Sequence, residues 1–304
     1  MKTKNLSLAE TFAAWMVDRA PWMFSRRLCA QNPGALFVTM AQKCAIETIE
    51  ISLEPNADLA YGESTLRLRP DAVIAPAVLN SGSWQRSTIE KFEQHIPKGR
   101  RVTLVDVGAN VGLISRQLSA RNPAIERIFC YEPDPVNFRC LQHNLACIPI
   151  AVLANCALAE KSGHLEFFLD ATNSGNYSLV ASAMANHPHR MISVPSINTG
   201  EEFDRLLQVI DPGHCIVYKS DTQGYDEIIA TQIHDQFWQR VEVAILELSR
   251  INRPVFDLER FQEIVSGFPN RCTVSQSRNL SVDEVMGMVS ATADGGYDDL
   301  VLSR

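Results

Sequence analysis

Four carboxylates stand in or directly after short apolar runs of this 304-residue sequence, at Asp106, Glu132, Asp221 and Glu247. Such runs are typical of buried strands in a parallel sheet, and ligands bind at the carboxyl ends of those strands. A carboxylate in that place can accept hydrogen bonds from hydroxyl groups, remove a proton as a general base, or bind a divalent cation. These residues are therefore the first candidates for a functional site.

The stretch around Asp106 has the form of a strand, a glycine-containing turn and a helix. Val102–Val107 is apolar and β-branched, which predicts a buried strand, and from Val111 onward apolar residues recur at helical spacing. Gly108 and Gly112 lack a Cβ, so the backbone can adopt positive φ and approach a ligand closely. Free N–H groups at the start of the helix complete a site for the polar end of a nucleotide-like cofactor.

The kind of cofactor depends on the residues between the glycines. A dinucleotide fingerprint requires G-x-G-x-x-G, but counting from Gly108 places Asn110 and Leu113 at the second and third glycine positions. The order found, Asp106-x-Gly108-x-Asn110-x-Gly112, is similar to motif I of Rossmann-like methyltransferases that use S-adenosyl-L-methionine. This resemblance implies that Asp106 and the Gly108 backbone face the methionine end of the cofactor, with Asn110 bracing the turn.

A second acidic residue follows at the spacing that such a cofactor requires. Arg127–Tyr131 predicts another short strand with Glu132 at its end, about twenty residues further along the chain. From there the Glu132 carboxylate could accept hydrogen bonds from both ribose hydroxyls. Asp134 then predicts a helix N-cap, with Pro135 at the first helical position.

Composition argues against several classes of function. The sequence is 46% hydrophobic and 21% charged, as is ordinary for a soluble globular protein, and its net charge of -7 argues against nucleic-acid binding. No apolar run approaches the roughly 18 residues of a membrane helix, and Met1–Glu10 lacks the apolar core of a signal peptide. The eight cysteines include no C-x-x-C pair, so neither a zinc site nor a disulfide framework is indicated, and we expect a cytoplasmic protein.

Strands and helices alternate along most of the chain, which predicts an α/β fold with a doubly wound, mostly parallel sheet. Further strands are predicted over Ile150–Leu158, Leu165–Leu169, His214–Asp221, Val241–Leu248, Arg271–Gln276 and Asp298–Ser303. Helices are predicted over Trp84–Ile96, Asp134–Ala146, Glu201–Ile210, Tyr225–Gln232 and Phe256–Phe268. Ala157 and Leu158 are expected beside the adenine, and the closing pair of strands is expected to supply an antiparallel edge. The polar stretch Asp170–His189 has no clear period, and we interpret it as a lid on the substrate side.

Residues 1–80 are expected to form an extension that precedes the cofactor-binding domain of residues 81–304. Leu6–Ala30 has a helical pattern rich in aromatic residues, while Ala45–Leu53 and Ser64–Arg69 predict two strands outside the main sheet. Two interpretations of the helix stay open, since it could pack as a cap on the main domain or form a homodimer contact. Binding to a membrane surface is not favoured, because the cations do not line one polar face.

Three segments taken together resemble the FkbM-type methyltransferases. Asp106–Gly112, Tyr131–Pro133 and Lys219–Asp226 are similar to that family's G-A-N-x-G, E-P and K-x-D-x-[QE]-G-x-E patterns, in the same order. The resemblance covers residues 81–304 and implies a class I methyltransferase fold, S-adenosyl-L-methionine as cofactor, and transfer to an oxygen of a small molecule such as a sugar or secondary metabolite. One departure is Asp226, where the family has Glu, and the shorter side chain argues against giving it a catalytic or metal-binding role.

Transfer to a neutral alcohol needs a group that removes the hydroxyl proton, either a positioned base or a metal ion. Asp221, at the end of the fourth core strand, is the first candidate, and its alternative role is to cap the helix that begins at Tyr225. Glu247, at the end of the fifth, is the second, and its alternative role is an ion pair with Lys219. His187 in the polar loop is the third. The two carboxylates could bind Mg²⁺, but they do not by themselves define a metal site.

Other functions stay open on the sequence alone. Nitrogen or a carboxylate could be the methyl acceptor in place of a hydroxyl. A nicotinamide oxidoreductase would conflict with Asn110 and Leu113, which interrupt the dinucleotide fingerprint. A non-catalytic scaffold would have no need of Glu132 or of the glycine turn.

Overall fold

The computed structural model describes residues 38, 41–42, 44–53, 57–59, 65–249, 255–290 and 297–304. The predicted helix Leu6–Ala30 lies outside the described residues. Within the described ranges, no helix is long and apolar enough to cross a membrane.

Strands and helices alternate through the described residues. The strands are β1 (Ile49–Ser52), β2 (Thr65–Leu68), β3 (Val102–Val107), β4 (Ile125–Tyr131), β5 (Ala151–Ala154), β6 (Ala157–Ala159), β7 (Gly163–Asp170), β8 (His189–Asn198), β9 (Cys215–Ser220), β10 (Val241–Ser249), β11 (Asn270–Thr273) and β12 (Tyr297–Ser303). The helices are α1 (Ile74–Ser81), α2 (Arg86–His95), α3 (Leu113–Arg121), α4 (Pro135–Asn144), α5 (Thr199–Val209), α6 (Asp226–Gln232), α7 (Asp235–Trp238), α8 (Leu258–Ser266) and α9 (Val282–Ser290). A short 3₁₀ helix, Ala181–Met184, lies between β7 and β8.

Seven of these strands form the central sheet, in the order β11-β12-β10-β9-β3-β4-β5. Five neighbouring strands of this sheet, β10, β9, β3, β4 and β5, run parallel to one another. β12 runs antiparallel to both of its neighbours, β10 and β11. This arrangement is the class I methyltransferase fold that the sequence resemblance implied. The antiparallel pairing at one end of the sheet is confirmed, with β11 outermost.

Burial in the sheet follows from its apolar strands. Every residue of β3 and β9 is buried, because helices cover both faces of the sheet. Apolar residues of α2, α3 and α4 pack on one face, and those of α5 to α9 pack on the other.

The strand order reverses beside β3, which pairs with β4 on one side and with β9 on the other. At such a switch point the connecting segments leave in opposite directions, so a crevice forms outside the carboxyl ends of the strands. The carboxyl ends of β3, β4, β9 and β10 all reach this crevice. The topology therefore brings together residues that are far apart in the sequence.

The predicted third strand, Ile150–Leu158, is wrong as one continuous element. β5 ends in the central sheet, and β6 belongs to a separate three-stranded sheet ordered β6-β8-β7. Asn155 makes the break, because its side-chain amide donates hydrogen bonds to the carbonyl oxygens of Glu132 (2.8 Å) and Pro133 (3.1 Å). The chain is thereby tied to the end of β4 before it enters the second sheet.

β1 and β2 form an antiparallel pair outside the central sheet, as predicted. The pair is joined to α4, since the Arg67 N–H donates to Oδ1 of Asn144 (2.7 Å) and the Asn144 amide donates to the Arg67 carbonyl (2.9 Å). Arg116 of α3 is buried and donates through Nε to the Leu59 carbonyl (2.6 Å). These bonds attach the described part of the extension to the helices that cover the sheet.

Candidate functional site

A cavity of about 850 Å³ opens at the carboxyl ends of β3, β4, β9 and β10. Gly108, Glu132, Asp221 and Glu247 line it at these strand ends. Other parts of its wall come from α1, from Trp84 and Gln85 before α2, and from the loop between β7 and β8. The volume lies within the range of sites that bind small molecules.

The turn after β3 requires glycine at position 108. Gly108 has φ of +70°, and a Cβ built on it would lie 2.0 Å from the carbonyl oxygen of Asp221. Gly112 has φ of +83°, and its Cβ would lie 2.6 Å from Cδ1 of Leu141 in α4. Gly108 therefore lets two backbones touch at the cavity floor, whereas Gly112 lets α3 pack against α4 and does not itself line the cavity.

Glu132 lies at the end of β4, with both carboxylate oxygens held by the backbone. Oε2 accepts a hydrogen bond from the Asn110 N–H (2.8 Å), and Oε1 accepts one from the Asp134 N–H (2.8 Å). Burial raises the pKa of Glu132 to about 8, although these two N–H donors oppose the shift. Each carboxylate oxygen has a second lone pair, so Glu132 can accept further hydrogen bonds from a ligand in the cavity that it lines.

Asp106 lies behind the cavity and does not line it, which corrects the expectation that its side chain faces the methionine end of a cofactor. Its register partner in β9 is Lys219, so the two side chains meet, with Oδ1 3.2 Å from Nζ. Oδ2 accepts a hydrogen bond from the Ser115 hydroxyl (2.6 Å). Asp106 is thus completely enclosed, and its influence on the cavity passes through Lys219.

Lys219 is a buried cation shared between two carboxylates. Besides Asp106, its Nζ lies 3.8 Å from Oδ2 of Asp221, and it donates a hydrogen bond to the Gly108 carbonyl (3.3 Å). Burial lowers the pKa of this ammonium, but Asp106 and Asp221 outweigh burial and raise it above its ordinary value. The alternative ion pair between Lys219 and Glu247 is therefore wrong, because the other two carboxylates bind this cation.

The side-chain amide of Gln223 joins the two carboxylates that are candidates for the base. Its Nε2 donates to Oδ1 of Asp221 (2.8 Å) and to Oε1 of Glu247 (3.0 Å). Gln223 itself has φ of +55°, and its carbonyl oxygen accepts a hydrogen bond from the Ser178 hydroxyl (2.7 Å). The loop after β7 thus contacts the residue that holds both carboxylates.

The two carboxylates lie in different environments. Glu247 is buried, and its Oε2 accepts a hydrogen bond from the Ser249 hydroxyl (3.0 Å). Burial, with the negative charges of Asp221 and Asp226, raises the pKa of Glu247 well above its ordinary value. Asp221 has a 22% exposed side chain and the Lys219 ammonium beside it. The site therefore pairs a carboxyl group that tends to keep its proton with a carboxylate that lies next to a cation.

The alternative role of Asp221, as a cap for the helix that begins at Tyr225, is wrong. No side chain caps the start of α6. Instead, the buried Asp226 carboxylate accepts hydrogen bonds from the Thr222 N–H (3.0 Å) and from the Ser220 hydroxyl. Burial raises the pKa of Asp226. Asp226 therefore shapes the turn after β9, and the Asp221 side chain is left at the cavity.

Asp170 holds the loop between β7 and β8 over the cavity. Its Oδ1 accepts a hydrogen bond from the Thr172 N–H (2.7 Å), and its Oδ2 accepts one from the Asn176 amide (2.8 Å). Partial burial would raise the pKa of Asp170, but these hydrogen bonds lower it. Nδ1 of His187 lies 2.9 Å from Oδ2 of the same carboxylate. His187 lines the cavity, as predicted for a loop candidate, but this ring nitrogen is already paired.

Ala157 and Leu158 form part of an apolar wall of the cavity, beside Cys156. The Asn155 amide connects this wall to the carbonyl of Glu132, so it lies near the end of β4. Burial raises the pKa of Cys156 to about 11, so its thiol is not an activated nucleophile.

Asn137 and Ser174 are cavity residues that the sequence did not identify as functional. The carbonyl oxygen of Ser174 accepts hydrogen bonds from Nδ2 of Asn110 (3.0 Å) and from Nδ2 of Asn137 (3.2 Å). The amide oxygens of Asn110 and Asn137 are buried and make no hydrogen bond. Asn137 lies on the helix that follows Glu132. This position in the chain is the feature of the sequence that could have identified Asn137 as a site residue.

These features fit an adenosine-containing cofactor. A carboxylate with free lone pairs suits ribose hydroxyls, an apolar wall suits a purine, and the Gly108 turn keeps side chains out of the space beside it. Within the described ranges, no group of three or more His, Cys, Asp or Glu side chains is arranged to hold a metal ion.

No protein-family profile matches the sequence. No curated protein sequence matches it either.

Solved methyltransferase structures are similar to the chain in their fold. The FkbM methyltransferase from Methylobacillus flagellatus KT has 14% sequence identity and a TM-score of 0.41, and the match covers 99% of this chain and 63% of that protein. The precorrin-6y C5,15-methyltransferase from Geobacter metallireducens GS-15 has 12% identity and a TM-score of 0.36, with 72% and 88% of the two chains covered. A geranyl diphosphate methyltransferase in complex with GPP and sinefungin has 9% identity and a TM-score of 0.37, with 72% and 77% covered.

This chain spans less than two thirds of the length of that FkbM methyltransferase. The strand order and the residues around the cavity, and not these distant similarities, are the basis for the function that follows.

Proposed function

We propose that this chain is an S-adenosyl-L-methionine-dependent methyltransferase that methylates a hydroxyl oxygen of a small molecule. The observation that carries the proposal is the Glu132 carboxylate, which is buried at the cavity wall and oriented by the N–H groups of Asn110 and Asp134. A scaffold protein would gain nothing from this buried carboxylate, whose raised pKa reflects the cost of placing it there.

Three parts of the cavity wall would hold the cofactor. Glu132 would accept hydrogen bonds from the ribose hydroxyls, Ala157 and Leu158 would pack against the adenine, and the backbone of Gly108 and Asn110 would contact the methionine part. When bound, the cofactor supplies a methyl group on a positively charged sulfur, which is already an activated electrophile.

On the acceptor side, Asp221 would remove the hydroxyl proton. Lys219 and Gln223 hold Asp221 from two sides, so its carboxylate has a defined position at the cavity. Glu247, with its raised pKa, suits a hydrogen-bond donor or a neutral wall better than a base. His187 is the second candidate for the base, since it also lines the cavity.

The charges around the cavity favour a neutral or cationic acceptor over an anionic one. Glu132, Asp221 and Glu247 all line the cavity, and the lining Lys219 is already bound to Asp106 and Asp221. A carboxylate acceptor would have to approach the Asp221 carboxylate without a free cation in this part of the described wall, and the carboxyl groups of Glu132 and Glu247 offer it no positive charge. A neutral hydroxyl has no such penalty, and an amine acceptor is the competing outcome of the test below.

Isothermal titration calorimetry tests cofactor identity. We expect S-adenosyl-L-methionine and S-adenosylhomocysteine to bind the purified chain with one site, while NADH produces no heat. Binding of NADH without binding of S-adenosylhomocysteine would replace this proposal with a nicotinamide oxidoreductase.

Isotope transfer tests the reaction. The protein would be incubated with methyl-labelled S-adenosyl-L-methionine and fractionated cell metabolites, and the labelled product would be identified by mass spectrometry. We expect a methyl ether. A labelled amine or ester would change the acceptor class, and the absence of any label in a protein that binds the cofactor would favour a scaffold.

The remaining expectations stay predictions: a cytoplasmic location, no nucleic-acid or membrane partner, and residues 1–80 as an extension of the domain 81–304. The two interpretations of the N-terminal helix, a cap on the main domain or a homodimer contact, also stay open. Light scattering on the full chain and on a variant with Trp15→Ser and Trp22→Ser in that helix would test the dimer.

A further inference from the structure

The carbonyl oxygen of Ser174 is the meeting point of two side-chain amides from different parts of the fold. Nδ2 of Asn110 reaches it from the turn after β3 (3.0 Å), and Nδ2 of Asn137 reaches it from the first turn of α4 (3.2 Å). All three residues line the cavity. The two amides therefore tie the loop after β7 to the part of the wall that holds Glu132.

The same two amides each have an oxygen without a partner. Because both nitrogens face a carbonyl, the orientation of each amide is determined, and the oxygens are left over. Oδ1 of Asn110 and Oδ1 of Asn137 are both buried and make no hydrogen bond. Unpaired buried acceptors are rare in folded proteins, so a pair of them at a ligand cavity indicates a ligand that donates hydrogen bonds.

The backbone of Asn137 is fixed at the start of α4. Asp134 caps α4 by accepting hydrogen bonds from the Val136 N–H (3.0 Å) and from the Asn137 N–H (2.7 Å), and Pro135 occupies the first turn. The Asn137 side chain is 1% exposed. Its backbone is therefore held by Asp134, and its side-chain amide by the Ser174 carbonyl.

The ligand group that fits is a ribose diol. Asn110 connects the amide pair to Glu132, because its backbone N–H donates to the Glu132 carboxylate (2.8 Å). Two adjacent hydroxyls offer two donors to a region that holds one carboxylate and two unpaired amide oxygens. The adenine amino group is a poorer match, since the apolar wall at Ala157 and Leu158 lies on another segment.

We infer that Asn137 is a further cofactor-contacting residue, whose amide oxygen accepts a hydrogen bond from a ribose hydroxyl and makes the site selective for an intact ribose. The inference rests on the proposed function. It adds a residue outside the glycine turn and Glu132, and it assigns a ligand contact to an amide that also anchors the loop after β7.

Calorimetry with three ligands tests the contact: S-adenosylhomocysteine and its 2′-deoxy and 3′-deoxy analogues. For the wild-type chain we expect at least one deoxy analogue to bind about tenfold more weakly or worse, as loss of a hydrogen bond to a buried acceptor predicts. In Asn137→Leu the discrimination against one of the two analogues should fall several-fold, because that hydroxyl loses its amide acceptor, while the contribution of Glu132 remains. Asn137→Asp keeps an acceptor oxygen but sets a second oxygen against the Ser174 carbonyl, so its discrimination should exceed that of Asn137→Leu and fall below the wild-type value.

Asn270→Leu is the matched control, since Asn270 is exposed on β11 and donates only to the Ser303 carbonyl in the described structure. If Asn137→Leu does not fold by circular dichroism, Asn137→Ala provides the same comparison. Unchanged discrimination in the variant without the oxygen would overturn the inference and leave Asn137 as a loop anchor. A wild-type chain that binds none of the three ligands would instead overturn the proposed function.

Discussion

At the residue scale, the cavity is built from polar groups whose positions are set before any ligand arrives. Glu132 has two backbone donors, Asp221 has Lys219 and Gln223, and Asn137 has Ser174. Such preorganisation lowers the entropy that binding would otherwise cost. Single substitutions at these positions should therefore affect distinct steps.

The Glu132 carboxylate should dominate cofactor affinity. We expect Glu132→Ala to raise the Kd of S-adenosylhomocysteine by about tenfold or more, because charge-assisted hydrogen bonds are lost. Calorimetry measures the change. Glu126→Ala is the control, since Glu126 lies on the same strand near its other end and has a 46% exposed side chain. Equal affinity in the wild type and Glu132→Ala would show that Glu132 does not contact the cofactor.

Cofactor binding should also depend on pH through Glu132. Its pKa of about 8 in the free protein means that the carboxyl group is mostly protonated at neutral pH, and hydroxyl donors prefer the ionised form. The Kd of S-adenosylhomocysteine should fall as pH rises from about 6.5 to about 8, by up to about tenfold per pH unit, and then level off. Glu132→Gln should show a weaker dependence, and a Kd that rises over this range would contradict the assignment.

Asp221 should affect turnover without affecting cofactor binding. We expect Asp221→Asn to lower turnover by about 10²-fold or more, as loss of a general base does, with the Kd of S-adenosylhomocysteine within about twofold of wild type. Once the acceptor is identified, steady-state kinetics measures the effect, with the exposed Asp283→Asn as the control. Near-wild-type turnover would mean that Asp221 is not the base. Either His187 would then remove the proton, or positioning of the two reactants alone would account for the rate.

At the scale of single elements, the turn after β3 has no space for a side chain at position 108. Gly108→Ala would combine a left-handed backbone with a Cβ placed 2.0 Å from the Asp221 carbonyl oxygen. We expect loss of S-adenosylhomocysteine binding and a decrease of about 2 kcal/mol or more in the free energy of unfolding. Gly287→Ala in α9 is the control, because no atom lies within 4 Å of its Cβ position. A stable Gly108→Ala variant that binds the ligand would contradict this account of the turn.

Most elements could be predicted because each has a local signal. Apolar runs identified β3, β4, β9 and β10, and the pair Asp134–Pro135 identified the start of α4. α1 was not predicted, because Pro76 resembles a breaker, yet it lies in the first turn, where a missing N–H costs little. The break between β5 and β6 depends on Asn155 bonding to a distant strand end, which no local pattern reports.

Site residues could be predicted where their position at a strand end places them in the crevice. They could not be predicted where packing between distant segments determines their environment. Glu132 and Asp221 could be identified because strand ends meet at one edge of a parallel sheet. The burial of Asp106 could not be predicted, because it depends on the strand register that places Lys219 of β9 opposite Asp106. The bridging role of Gln223 depends on a backbone with positive φ, which the sequence does not indicate for glutamine.

At the scale of the whole molecule, several buried carboxyl groups share one thermodynamic property. Burial raises the pKa of Glu132 to about 8 and that of Asp299 to about 6, and it also raises the pKa values of Asp226 and Glu247. In the unfolded chain such groups titrate near pH 4. Between those limits the folded state binds more protons than the unfolded state, so stability decreases as pH rises.

The melting temperature should therefore fall steadily between about pH 5.5 and about pH 8.5 at constant ionic strength. Differential scanning calorimetry of the ligand-free chain measures this. Asp299→Asn should flatten the lower part of the curve, since it removes one of the groups that takes up a proton on folding. A melting temperature that rises across the range would show that the folded state does not retain these protons.

The touching backbones of Gly108 and Asp221 have a consequence for how such a protein can diversify. Position 108 leaves no room for a side chain between the two backbones, so a larger residue there would force the two sides of the crevice apart. Under the proposed function, variation in the loop after β7 would change which acceptor molecules enter the cavity. The position of the transferred methyl group would stay the same. Related chains with different acceptors should accordingly differ in the rim of the crevice and agree at this contact between backbones.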